Sequence, residues 1–228
     1  MTRDFDGYRT TYAAVVQSSV DFSGLPHAFF TAAKADVLGT VLTARRGAPF
    51  APTALDVGCG VGTLHPYLRP LVGRLSAADV SSACVEEARR RNPWVEYEVS
   101  RGTRLPYDDR TFDLVLTVCV LHHVPPADRL AFAGELRRVA RPGGLVCVIE
   151  HNPFNPLTRL AVMRCAFDRD AVLLRAGRTE RLLRAAGLRA LETRFFLLLP
   201  TKRGPAPWLE HRLRRVPLGA QYLTCGEA

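Results

Sequence analysis

The hydrophobic rhythm of the chain changes once. Over the first 48 residues apolar positions recur at helical spacing, as in Val37, Leu38, Val41 and Leu42. From Thr53 onward, short apolar runs alternate with amphipathic stretches. The runs predict strands at Thr53–Val57, Arg74–Asp79, Val95–Val99, Asp113–Val118 and Leu145–Ile149, one through Phe195–Leu199, and a last one at Gln221–Cys225. The stretches between them predict helices over Thr63–Leu71, from Ser81 or Ser82 to Arg91, over Ala127–Ala140 and over Glu180–Ala186. Asn92-Pro93 and Gly187 supply stops, and Arg141-Pro142-Gly143-Gly144 reads as a turn. Such repeats imply an α/β fold: a mostly parallel sheet covered by helices on both faces, with ligands at the carboxyl ends of the strands. Two stretches break the repeat, 151–177 and 200–218, the second holding Pro200, Pro205, Pro207 and Pro217. Both are expected to act as lids inserted into a main domain of residues 49–228, with residues 1–48 as a helical cap.

Composition narrows the class. With 228 residues, 47% hydrophobic and 23% charged, the chain is long enough for a sizeable core in one domain. No apolar run approaches a membrane span, and Met1-Thr2-Arg3-Asp4-Phe5 leads into no apolar signal core. Six scattered cysteines form no C-x-x-C pair, which predicts reduced thiols in a cytoplasmic protein without disulfides or zinc. The net charge is +9, and Lys34 and Lys202 are the only lysines. Arginines cluster at Arg89-Arg90-Arg91 and at Arg212, Arg214 and Arg215. Such clusters can meet nucleic acid, an anionic membrane or an acidic substrate, or simply form solvated helix faces. Aromatic residues do not interleave with them, so no nucleic-acid partner is expected.

The first strand runs into Leu55-Asp56-Val57-Gly58-Cys59-Gly60-Val61-Gly62. Glycines at a strand-to-helix turn let backbone approach a ligand, and the following helix start is expected to point amides into the same crevice. A dinucleotide would place its pyrophosphate here, against the Asp56 carboxylate, and the third glycine comes one residue early for that fingerprint. S-adenosylmethionine carries an ammonium and a sulfonium and no phosphate, so Asp56 suits it, directly or through water. The plainer reading is a glycine-rich turn without a ligand.

Four ordered motifs over residues 50–150 resemble the class I S-adenosylmethionine-dependent methyltransferases. They are similar to the small-molecule branch that includes the ubiquinone/menaquinone-biosynthesis C-methyltransferases. The glycine turn is the first motif, and Asp79 at the end of the second strand is the second. Leu105-Pro106-Tyr107 with Phe112-Asp113-Leu114-Val115-Leu116 is the third. Leu121-His122-His123-Val124, followed by Leu136-Arg137-Arg138-Val139-Ala140-Arg141-Pro142-Gly143-Gly144, is the fourth. The resemblance implies a Rossmann-like seven-stranded sheet, S-adenosylmethionine as cofactor and a small-molecule acceptor. It places Asp56, Gly58, Cys59, Gly60, Asp79, Val80 and Val118 around the cofactor, with Asp79 on the ribose hydroxyls. The family's usual adenine-binding acid is replaced by Ser100-Arg101-Gly102-Thr103, so adenine is expected on backbone at Arg101 and Gly102, on Thr103, or stacked on Val80.

Methyl transfer needs positioning first, and a base only where the nucleophile must lose a proton. His123 and His151 follow the fourth and fifth strands and are the candidate catalytic residues. Tyr8, Tyr12, His122 and Asn152 are expected near the substrate. Glu150 is expected to pair with Arg159 or Arg164, and Asp168 and Asp170 to be solvated or capping. Carboxylates and histidines show no metal-ligand spacing along the chain, so no metal is expected. Methylation at oxygen or carbon of a small molecule, in bacterial specialised or cofactor metabolism, is the leading function. A non-methylating cyclase, isomerase or binding protein on the same fold is the alternative, and an RNA methyltransferase a more distant one.

Overall fold

The computed structural model describes residues 11–101, 104–199, 201, 204 and 206–228, with nothing said of the Pro207 side chain. Tyr8, Gly102 and Thr103, named above for the site, lie outside the described residues. Two helices open the described chain, α1 (Tyr12–Val20) and α2 (His27–Arg46). Alternation then begins with β1 (Thr53–Val57), the short α3 (His65–Leu68), β2 (Arg74–Asp79), α4 (Ser82–Arg91), β3 (Glu96–Val99) and β4 (Phe112–Val118). It continues with α5 (Arg129–Val139), β5 (Ala140–His151), α6 (Pro156–Arg164), α7 (Ala176–Ala185), β6 (Arg189–Phe196), α8 (Ala206–Leu213) and β7 (Gln221–Glu227).

The seven strands form one sheet in the order β3-β2-β1-β4-β5-β7-β6. β7 runs antiparallel to both neighbours, and the other pairings are parallel. β4 and β5 sit centrally and read as apolar runs because both of their faces are covered. On one face α2, α3 and α4 bury Leu38, Leu68 and Val85 with Leu75, Leu114 and Leu145. On the other, α5 and α7 bury Leu136 and Leu183 with Leu55, Val115 and Val148. Each fully buried leucine contributes about 1.5–3 kcal/mol relative to exposure.

Local signals account for most boundaries. Ser81 caps α4 by accepting from the Cys84 amide at 3.1 Å. The expected helix over Thr63–Leu71 shrinks to α3 and a 3-10 turn at Arg69–Leu71, since Pro66 and Pro70 cannot donate to a continuing ladder. The expected turn at Arg141–Gly144 is instead a bulge inside β5, where the register against β4 shifts between Phe112 and Leu114. Gly143 takes φ +75° there. The strand expected through Phe195–Leu199 ends at Phe196. All six cysteines are free, and Cys147 faces Cys225 across β5 and β7 with sulfurs 3.1 Å apart. No described helix is long and apolar enough to cross a membrane.

Candidate active site

The carboxyl ends of β1, β2, β4 and β5 open into a cavity of about 1330 Å³, roofed by α1, α2, α6 and the chain around Phe167. Its floor starts at the glycine turn. The Gly58 and Cys59 amides donate to the Ala78 carbonyl at 2.7 and 3.2 Å, and the Gly60 amide donates to Asp79 Oδ2 at 2.7 Å. The turn is therefore clipped onto the end of β2 through these three amides. A Cβ on Gly58 would lie 2.4 Å from Val120, so β1 and the β4 exit can meet only with glycine there.

Asp79 lines the cavity beside Val80, whose side chain is 50% exposed. Its Oδ1 accepts from the Ser81 amide at 3.0 Å. Burial raises the Asp79 pKa, while the amides of Ser81 and Gly60 stabilise the ionised form. The Val80 amide adds to these two, so the carboxylate is held by backbone at the cavity wall. Gly58, Gly60, Val118 and Arg101 also line the cavity.

Three expected site residues face elsewhere. Asp56 is turned beneath the glycine turn, where its Oδ2 lies 3.1 Å from His65 Nε2, and His65 Nδ1 lies 2.7 Å from the Tyr97 hydroxyl. Gly62 closes over that network, since a Cβ would come within about 3 Å of Asn92, His65 and Tyr97. The Asp56 carboxylate is thus a core group bound to a buried histidine, and does not face the ligand. Cys59 packs its side chain against the core. Asn152 is buried and clamps the chain before β7, donating to the carbonyls of Pro217 and Gly219 at 3.0 and 2.8 Å. Its amide is spent on backbone and is not offered to a substrate.

The histidines come together. His122, His123 and His151 form a cluster with ring centroids 4.1 Å apart between the first two and 5.3 Å between His122 and His151. Glu150 Oε2 lies 2.6 Å from His122 Nδ1, and Glu150 Oε1 accepts from the Leu121 amide at 2.7 Å. Glu150 therefore pairs with His122, and not with Arg159 or Arg164. Asp168 is buried and sets Oδ1 at 3.5 Å from His122 Nε2 and 3.2 Å from His123 Nε2. Burial alone would lower the His122 pKa, but Glu150 and Asp168 overcome it and raise it to about 10. His122 is an imidazolium held between two carboxylates. Burial, the largest influence on Asp168, favours its neutral form, but His122 and His123 outweigh it and keep Asp168 ionised. Burial lowers the pKa of His123, and lowers that of His151 to about 4 with help from the His122 charge. Both are neutral near pH 7.

Asp168 is accordingly neither solvated nor a simple cap. His122, His123 and Asp168 each bring one ligand-type atom within 4.8 Å of the others, a cluster that linear spacing did not foresee. Two carboxylates holding a proton on His122 oppose its use as a metal ligand, because coordination needs the neutral ring.

Cys119, Gln221 and Lys34 line the cavity although the sequence did not single them out, whereas Tyr12 was expected there. Cys119 follows β4 with φ +57°, a strained conformation for a side chain this size. Gln221 Nε2 lies 3.3 Å from His151 Nδ1. Lys34 projects from α2 into the cavity wall. Tyr12 stacks on Phe167 with centroids 5.2 Å apart, and its ring passes 3.9 Å from where a Gly60 Cβ would stand. Burial raises the Tyr12 pKa, so it stays a neutral phenol. Of the two expected lids, 151–177 lines the cavity, while none of the described residues of 200–218 does.

Residues 55–148 match the family model of a methyltransferase domain. A demethylmenaquinone methyltransferase of Beutenbergia cavernae is 35% identical over 108 residues, which span 46% of this chain and 44% of that protein. A malonyl-[acyl-carrier protein] O-methyltransferase of Salmonella typhimurium is 33% identical over 120 residues, 53% of this chain and 45% of that protein. The chain thus spans less than half the length of these curated relatives. Over the whole fold, a Thermotoga maritima structure described as an S-adenosylmethionine-dependent methyltransferase, possible histamine N-methyltransferase, superposes with a TM-score of 0.68. That alignment covers 98% of this chain and 97% of the other at 17% identity.

Proposed function

Because the chain belongs to the class I S-adenosylmethionine-dependent methyltransferases, we propose that it methylates oxygen or carbon of a small, largely apolar molecule. One observation carries this reading: the clipped glycine turn, Asp79 and the histidine cluster all face a single cavity. The residues present suit the cofactor. Asp79 offers a carboxylate at the cavity wall for a cis-diol, and exposed Val80 offers an apolar neighbour for a purine. Bound S-adenosylmethionine supplies an electrophilic methyl on sulfur.

The protein's part is to orient, dehydrate and deprotonate. Tyr12 and Phe167 close over the glycine turn and exclude water. Asp168 places negative charge 3.2 Å from His123 Nε2. It favours the tautomer with hydrogen on that nitrogen, which makes Nδ1 the basic atom. His123 is the proton acceptor, Asp168 its positioning residue and His151 an orienting partner for the acceptor. The Glu150–His122 pair fixes Asp168 by charge. The surrounding wall, with Phe29, Phe30, Val162 and Leu197, is apolar and suits a hydrophobic acceptor body.

The test is calorimetry with S-adenosylhomocysteine and NAD, followed by incubation of the enzyme with methyl-labelled S-adenosylmethionine and an organic extract. Binding of S-adenosylhomocysteine and label in an extractable product are expected. Binding of NAD alone would overturn the cofactor assignment. Binding of S-adenosylhomocysteine without any label transfer, in extracts where other methyltransferases label products, would favour the non-methylating alternative.

A further inference from the structure

Helix α6 has a composition that its position does not explain. Thr158 and Val162, one turn apart, are buried and hold the helix down. The opposite, outward half carries Leu157, Leu160 and Met163, with Leu157 59% and Met163 69% exposed. A helix apolar on both sides is ordinarily a buried one. Phe154 just before it is exposed, and so is Leu218, whose carbonyl accepts from Asn155 Nδ2 at 2.9 Å and is thereby tied to the start of α6. Leu157 also lines the cavity, so the exposed apolar side of α6 borders the cavity mouth. Phe22 and Val172 also line the cavity while standing exposed.

Charge says what covers the patch. α6 holds Arg159 and Arg164 and no carboxylate. Neither arginine has a carboxylate partner among the described residues, and Arg175 lies over the Phe154 ring at 5.0 Å. The whole chain carries +9. Aliphatic side chains on an exposed helix face, set between arginines, fit the headgroup boundary of an anionic bilayer, where the apolar stripe meets acyl chains and the arginines meet phosphate.

We propose that α6 and its flanks dock the protein on an anionic membrane surface, with the cavity mouth against the lipid. An acceptor dissolved in the bilayer then enters the cavity without crossing water. That last benefit rests on the small-molecule reading above, whereas the docking surface does not.

The experiment is sedimentation of the full chain with vesicles of pure phosphatidylcholine, and with vesicles of equal parts phosphatidylcholine and phosphatidylglycerol. The expected result is co-sedimentation with the anionic vesicles only, weakening as salt rises. Arg159→Gln and Arg164→Gln should each lower partitioning about fivefold. Met163→Asp should lower it further, with unchanged thermal melting because that side chain is mostly exposed. Three results would overturn the proposal: no sedimentation with anionic vesicles, equal sedimentation with both kinds, or binding indifferent to all three substitutions. An acidic protein that pulls the chain from solution while anionic vesicles leave it there would assign the patch to a protein partner instead. S-adenosylhomocysteine binding is measured in parallel, so failure of the surface and failure of the methyltransferase reading remain separate outcomes.

Discussion

The two halves of the cavity are built by different means. The half at β1 and β2 is made of backbone: a glycine turn whose amides are bound to Ala78 and Asp79, and one carboxylate at a strand end. The half at β4 and β5 is made of side chains delivered from far apart: His123 after β4, Glu150 and His151 on β5, and Asp168 beyond α6. A site made of local backbone announces itself in a short motif. A site made of a charge network announces itself only after folding.

Substitutions in the two halves should therefore fail differently. The largest effect is expected from Glu150→Ala, which leaves an imidazolium buried without its carboxylate and should cost about 3–5 kcal/mol of stability in a denaturant titration. Loss of activity with unchanged stability would mean that the pair is not structural. His123→Ala should lower turnover about 10²–10⁴-fold while S-adenosylhomocysteine binding holds. Wild-type turnover would show that positioning alone drives the reaction. Asp79→Ala should do the reverse, weakening cofactor binding by about 1.5–3 kcal/mol and sparing the fold. If Asp79→Ala and His123→Ala damage the same quantity, the division between the halves collapses.

A pH series sharpens the comparison further. The His122 pKa is raised above its unfolded value, so its contribution to stability is full below about pH 6.5 and is lost as pH climbs toward about 10. The pKa values of Glu150 and Asp168 are lowered, so their contributions are full above the ordinary carboxylate range and fade as pH falls through it. Burial lowers the pKa of His123 and of His151, so each costs stability as pH falls below about 6.5, and the melting temperature should peak near about pH 6.5–7, with an alkaline decline that flattens in His122→Gln. The smallest expected effect is dynamic. Amides of 151–177 should exchange faster than those of β4 and β5 when no ligand is bound. Protection equal to that of the central strands would argue against an opening lid.

Much of this could be read from the sequence where the physics is local. β2 ran from Arg74 to Asp79 as expected, because an apolar run ended by an acid needs no tertiary information. The helix to Arg91 was equally plain, with Ser81 taking the capping place that the sequence left between Ser81 and Ser82. Asp56 was misread because a carboxylate beside a glycine turn looks the same whether it faces a ligand or the core. Only the return of the chain at His65 and Tyr97 decides it. Asn152 looked like a substrate contact because nothing nearby in sequence hinted at the carbonyls of Pro217 and Gly219. Asp168 lies 45 residues or more beyond the histidines it serves, and no periodicity links them.

The strand order has a further consequence, for the sequence of events during synthesis. β6 finds its partner only in β7, which slots between it and β5. While a ribosome is still delivering the residues after β6, the Leu145–Ile149 ladder of β5 stands open along one side, with apolar side chains and unpaired amides. Such an edge invites pairing with a neighbouring nascent chain. A strand made after β6 thus fills the place between β5 and β6, and it also brings Gln221 up to His151. Until β7 is in place, the cavity wall it contributes is missing as well, so the covering of the β5 edge and the closing of that wall belong to the same step.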